Sequence, residues 1–291
     1  MRVVRVPALR RPVDGEPLSA FTVDVEDWYQ SCVDYDAPIT ERVVRNTERI
    51  LEMLDERDSK GTFFVQGRVA ATFPALVQRL VQEGHEVQSH GYSHRPLYAM
   101  GPAALRDELE RARKTVEDAA GTRVTAFRAQ DFSIVARNLW ALDTLAEVGF
   151  EIDSSIFPMR SARYGIAGWE VAPHHIDCPS GARILEVPVA IWTYRSWRLP
   201  VAGGGYFRVV PTALLERGLE AITARSRPPI VYCHPYEFRP GELAEYRGAV
   251  PRKVLLAQGI GRRVVPGRIA DLVERLRFGR FDRVLSAWGV T

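Results

Sequence analysis

Seven short β-rich runs, most of them followed by a longer amphipathic stretch, are what most constrain the fold of this chain. The runs are SAFTVDV (19–25), GTFFVQG (61–67), HEVQSH (85–90), VTAFRAQ (124–130), FEIDSS (150–155), ILEVPVA (184–190) and PPIVYCHP (228–235). Helical periodicity falls near 39–58, 68–83, 102–120, 136–148 and 211–226. Strand and helix in alternation is the pattern of βα units around a parallel sheet. It predicts an α/β fold, a distorted (β/α) barrel with about seven parallel strands. The 291 residues suffice for one large domain. The expected division is an N-terminal extension over 1–18, the barrel over 19–238 and a C-terminal extension over 239–291. In the extension, GRIADLVERLRFG reads as a helix packed on the barrel, and 156–210 reads as loops and short strands over one rim.

The polar residues fall in a pattern on this frame. Asp24, Glu26, His90, Arg128, Asp153 and His234 each stand at the C-terminal end of their run, the end at which a (β/α) barrel builds its active site. His90 and His94 are four apart in SHGYSH; on a helix that spacing is one turn, and both rings would face one ion. A divalent metal takes imidazole nitrogens and a carboxylate oxygen, and a catalytic site keeps one position open for water. The pattern therefore points to a metal-dependent hydrolase. Trp28 and Tyr206 are candidates for stacking against a sugar ring. His85 reads as a turn residue, and Gly203, Gly204 and Gly205 as a tight rim turn without the lysine of a phosphate loop. No GxSxG elbow is present, which leaves serine hydrolase chemistry unsupported.

Composition narrows the remaining classes. A net charge of +3, with arginines scattered among acids, does not favour nucleic-acid binding. The most basic cluster, Arg262, Arg263 and Arg268, reads first as a solvated face and second as a contact for an anionic or membrane surface. Cys32, Cys178 and Cys233 lack CxxC spacing and support neither a disulfide framework nor a cysteine metal site. There is no apolar run of about 18 residues, and MRVVRVPALRRPVDGEP lacks the apolar stretch of a signal peptide. The expectation is a cytoplasmic protein without a transmembrane segment, with peripheral membrane attachment or export as alternatives.

In order, the motifs TVDVEDW, SHGYSH, FRAQDFS and YCHPYEF resemble those of the polysaccharide deacetylases, the NodB-homology group of carbohydrate esterase family 4. The segments GTFFVQG, DSSIFPMRSARYG, GGGYFR and RFGRF are similar to the subgroup found in bacterial exopolysaccharide gene clusters, which carries an extra C-terminal region. The resemblance implies that 19–238 is a NodB-homology barrel. It implies Asp24 as general base, Glu26, His90 and His94 as metal ligands, Arg128 beside the base and His234 as general acid. Asp27 is the alternative carboxylate ligand or a supporting residue, and Asp153 a partner that orients His234 or a ligand histidine. The implied cofactor is a divalent metal, zinc first, with cobalt, nickel, manganese or iron also suited. The implied substrate is an N-acetylated glycan: N-acetylhexosamine units of a bacterial exopolysaccharide or its precursor. Peripheral association with exopolysaccharide assembly machinery is the implied partnership. Two places depart from the family pattern: its adjacent aspartates are here Asp24, Glu26 and Asp27, and its proline and serine after the arginine are Gln130 and Asp131. Hydrolysis of another non-peptide C–N bond, of the cyclic-amide type, and a non-catalytic glycan-binding relative are the alternative readings.

Overall fold

Alternation along the strands sorts their side chains onto two faces. In the computed structural model, which describes residues 1–6, 9–161 and 164–291, Ala20, Phe64, Ala126, Leu185, Val187 and Ile230 meet in one cluster. Phe21, Val23, Val25, Phe63, Val65 and Phe127 belong to a second, larger one beneath the helices. The first set fills the inside of a curved sheet, and the second lies between sheet and helices.

The strands are β1 (Arg2–Arg5), β2 (Ser19–Val25), β3 (Thr62–Val65), β4 (Glu86–Ser89), β5 (Ala126–Phe127), β6 (Ile152–Asp153), β7 (His174–Asp177), β8 (Arg183–Glu186), β9 (Ile191–Tyr194), β10 (Trp197–Pro200), β11 (Ile230–Cys233) and β12 (Phe278–Gly279). Seven of them run parallel in the order β11-β2-β3-β4-β5-β6-β8. Each expected run supplies one, and the fold is the expected α/β barrel type. Between β8 and β11 the circuit is bridged by extended chain: the Ala190 amide donates to the Ile230 carbonyl (2.9 Å) and the Tyr232 amide to the Ala202 carbonyl (2.7 Å). Gly203, at φ 146°, runs so close to Tyr232 that a Cβ would lie 1.7 Å from its carbonyl oxygen. Only glycine allows that approach.

The helices are α1 (Trp28–Cys32), α2 (Arg42–Asp55), α3 (Gly67–Thr72), α4 (Pro74–Gln82), α5 (Pro102–Ala120), α6 (Ala141–Val148), α7 (Tyr206–Val209), α8 (Thr212–Thr223), α9 (Arg252–Gly259), α10 (Val265–Arg275) and α11 (Phe281–Ala287). On α5, Leu105, Leu109, Ala112 and Val116 make the buried stripe. The single helix expected over 68–83 is two, because Pro74 cannot donate an amide hydrogen and holds Phe73 at φ −129°, ψ 63°.

Both chain ends join the sheet. β1 pairs antiparallel with β7, itself antiparallel to β8, and β12 pairs parallel with β2. Beyond β12, Phe281, Val284, Leu285 and Trp288 of the α11 region enter the inner cluster, and the Trp288 indole donates to the Leu18 carbonyl (2.9 Å). The C-terminal segment thus does more than pack on the barrel: it closes its N-terminal end. No helix among the described residues is long and apolar enough to cross a membrane.

Candidate metal centre and its flanks

At the C-terminal ends of β2 and β4, Glu26, His90 and His94 converge, all buried, with one ligand atom from each lying within 4.8 Å of the others. His90 Nε2 is 3.2 Å from Glu26 Oε2, and His94 Nε2 closes on the same oxygen. Burial opposes the charge on Glu26, but the two imidazoles outweigh it and hold its carboxyl well below the usual range; Glu26 in turn raises His94 against its own burial. The Nδ1 atoms of both histidines have no hydrogen-bond partner. Two imidazole nitrogens and one carboxylate oxygen, buried and aimed at a common point, fit a divalent cation.

The histidine pair reaches this arrangement without a helix. β4 ends at Ser89, Gly91 turns at φ 69° and His94 sits at φ 66°, so a tight loop replaces the expected helical turn. Three side chains fix that loop. Glu108 of α5 accepts from the amides of Tyr92 (2.9 Å) and Ser93 (2.7 Å), and Gln30 donates to the Ser93 carbonyl (2.9 Å). Gln130, one of the two departures from the family pattern, packs its amide on Gly91, where a Cβ would come within 2.3 Å of it. Its neighbour Asp131 takes the left-handed conformation, φ 53°, and its charge helps raise His94.

Asp24 and Glu26 are two apart on extended chain and share a face. Arg128 lies fully buried between Asp24 and the barrel interior. Its guanidinium donates to Asp24 Oδ1 (2.9 Å), Thr22 Oγ1 (2.7 Å) and Ser154 Oγ (3.1 Å), and rests 4.2 Å above the Phe64 ring. On the opposite flank His234 stacks on Tyr236 at 4.8 Å, and its Nδ1 lies 3.3 Å from Glu237 Oε2. Burial pushes His234 down, yet the Glu237 contact with the charges of Glu26 and Asp24 carries it up to about 9. Glu237 is itself held down at about 2 by His234 and Arg208 against its burial; Arg208 Nη2 approaches its Oε1 at 3.3 Å.

Three sequence expectations need correction. Asp27 caps α1: it accepts from the Tyr29 amide (3.0 Å) and from the Thr40 amide (3.0 Å) and hydroxyl, so both oxygens are committed away from the histidines. Asp153 orients neither His234 nor a ligand histidine. It follows Ile152, which packs with the inner cluster, and so alternates to the outer face, where it pairs with Glu186 across β6 and β8 and bonds Ser155. Trp28 is 1% exposed and packs on Tyr246 (4.9 Å) and near Arg262, which leaves no ring face for a sugar. Tyr206 is half-buried on the short helix α7.

Residues 31–146 match the family model for polysaccharide deacetylase, a span that holds the loop bearing both histidines as well as Arg128. Over that span the chain is similar to the polysaccharide deacetylase family. Residues 154–286, with His234 and most of the C-terminal segment, match a second model described as a domain of unknown function (DUF3473). A chitooligosaccharide deacetylase of Bradyrhizobium sp. (strain ANU 289) is 30% identical over 146 residues, 50% of this chain and 58% of that one. A peptidoglycan-N-acetylglucosamine deacetylase of Bacillus cereus is 28% identical over 123 residues, 37% of this chain and 44% of that one. The chain thus spans less than two thirds of the length of these relatives. Among solved structures, a Mycobacterium smegmatis protein named for the same family superposes with a TM-score of 0.61 at 21% identity, covering 98% of this chain and 95% of that one. The PuuE allantoinase superposes at 0.64 with 15% identity, covering 96% and 93%. Both share the fold of this chain.

Glu108, Gln30 and Glu237 are the residues of this site that sequence reasoning passed over. For Glu237 a signal existed: His234-Pro235-Tyr236-Glu237 puts an acid three residues after the histidine, with proline opening the turn between them.

Proposed function

We propose that the protein is a metal-dependent N-deacetylase of N-acetylhexosamine units in a bacterial exopolysaccharide or its precursor. The observation that carries the reading is the juxtaposition, at one end of the barrel, of the Glu26–His90–His94 cluster with an arginine-held carboxylate on one flank and a carboxylate-held imidazole on the other. The family match and relatives named for chitooligosaccharide and peptidoglycan deacetylation support the acetamide as the bond attacked.

Glu26, His90 and His94 would hold a divalent ion, zinc by its preference for this donor set, leaving Asp27 to its cap. Such an ion lowers the pKa of water from about 15.7 toward ~7 and stabilises negative charge on a carbonyl oxygen. Asp24, fixed by Arg128, takes a proton from the water that adds to the acetyl carbon. Arg128 is buried behind Asp24, and its part is to hold that carboxylate in place and aimed. His234, protonated through neutral pH, hands its proton to the amide nitrogen as the C–N bond breaks. One water is consumed, and acetate and a free amino sugar leave.

The deciding experiment is acetate release from N-acetylglucosamine oligomers by the purified protein, stripped of metal and resupplied with zinc or cobalt, with a cyclic amide as control substrate. Metal-restored release, lost by about 10²- to 10⁴-fold in Asp24→Asn while metal still binds, is the expected result. Cyclic-amide turnover without acetate release, or neither with metal bound, overturns it.

A further inference from the structure

Aliphatic side chains are left facing solvent on the segment after the last barrel strand. Leu256 and Ile260, one turn apart along and just beyond α9, are 71% and 64% exposed, and Val264 is 43% exposed. Val209, at the end of α7, is 64% exposed. The two pieces touch: a Cβ on Gly261 would lie 2.4 Å from the Arg208 carbonyl oxygen, and Arg208 Nη1 donates to the Gln258 carbonyl (3.0 Å). No residue of α9 is buried, so the helix lies on the protein as a ridge with an apolar crest. Isolated exposed aliphatics are ordinary, but a contiguous group on one ridge marks a contact surface.

The charge around the crest says what kind. Between residues 247 and 270 there are Arg247, Arg252, Lys253, Arg262, Arg263 and Arg268, and no aspartate or glutamate. Two of these cations are spent within the fold. Arg262 is 1% exposed and sits 5.1 Å from the Tyr236 ring, and Arg268 donates to the carbonyls of Phe207 and Val210. Arg252, Lys253 and Arg263 are exposed, and among the described residues none of them has an ion-pair partner. Exposed aliphatics flanked by unpaired cations are the composition of a helix that lies in a membrane interface, its crest among acyl chains and its cations at anionic headgroups.

We propose that this ridge docks the protein on an anionic lipid surface. The ridge adjoins the acid flank of the candidate site, since Arg208 also meets Glu237, which holds His234. Docking there brings that rim of the barrel to the membrane. The inference is read from binding alone and stands apart from the identity of the reaction.

The test is co-sedimentation of the full chain with vesicles of phosphatidylglycerol and phosphatidylcholine, against phosphatidylcholine alone, at low and high salt. Binding to the anionic vesicles that weakens with salt is expected. Leu256→Glu with Ile260→Glu should lower it by about tenfold or more, and Arg252→Gln, Lys253→Gln and Arg263→Gln together should lower it and flatten the salt dependence. All five positions lie on or beside this surface ridge, and circular dichroism of each variant verifies its fold. Wild-type protein that stays in the supernatant with anionic vesicles overturns the proposal, as do variants that sediment like wild type. Dimers in solution that Leu256→Glu with Ile260→Glu dissociates overturn it too, and assign the crest to a second copy of the chain.

Discussion

The two flanks of the candidate site are built on the same plan from different material. On one, Asp24 is held by Arg128, a neighbour inside the barrel whose guanidinium also bonds Thr22 and Ser154 over Phe64. On the other, His234 is held by Glu237, which meets Arg208 from α7, and Arg208 in turn reaches Gln258 in the C-terminal segment. The first flank is part of the packed core. The second is held from the turn after β11 and from α7, at the edge of the core. Damage to the first should therefore cost stability together with chemistry, whereas damage to the second should move a protonation step.

Arg128→Met is the strongest test of that contrast. Breaking a fully buried ion pair leaves a buried carboxylate uncompensated, which typically costs about 3–5 kcal/mol. Denaturant unfolding should show a loss of that size, and acetate release should fall with it; a variant of unchanged midpoint would show that the base flank is not tied to the core. Next in size is Glu108→Gln, which loosens the loop bearing His94 without touching a ligand atom. Supports of this kind are worth about 10- to 100-fold in metal affinity, and competition against a chelator measures it.

Glu237→Gln should act on pH. In the proposed reaction His234 donates as the cation, so with its value raised to about 9 its proton is present through neutrality and is lost as pH rises through about 9. Without the Glu237 carboxylate the alkaline limb of the pH–rate profile should move down toward the ordinary 6.5, lowering turnover by about tenfold near pH 8. An alkaline limb that stays in place would sever His234 from this step. The smallest effect is expected outside both flanks, at the Asp153–Glu186 pair. Burial, and then the neighbouring carboxylate, raise Glu186 well above its ordinary 4.5. The folded chain therefore keeps a proton that the unfolded chain releases, and stability falls as pH rises above about 4.5. Glu186→Gln should flatten that slope and raise the melting temperature slightly at neutral pH, as calorimetry across pH would register.

Much of this was legible in the sequence because strand runs and strand-end polarity are local signals. β-branched and aromatic residues marked all seven parallel strands, and Asp24, Glu26, His90, Arg128 and His234 stood at their ends. The failures came where a local pattern had two readings or none. An i, i+4 histidine pair fits a helix, but Gly91 and the left-handed His94 make it a loop. Asp153 was a strand-end acid like the others, and only its place one residue after the inward-facing Ile152 put it on the other face. Glu108 lies mid-helix in α5, 14 residues beyond His94 in the chain (108 − 94), and no local pattern ties it to the loop it holds. Trp28 reads equally as a sugar platform or as core until the C-terminal segment brings Tyr246 onto it.

That segment has a further effect through α11. Phe278 pairs with Ser19, 259 positions earlier in the chain (278 − 19), and Phe281 follows it into the barrel. A nascent chain that has emerged through Glu237 already carries each residue assigned to the site, but the inner core lacks its floor. Closing a loop of that length before any reward from packing makes for slow maturation. Until then the partly built sheet exposes apolar surface of the kind chaperones recognise.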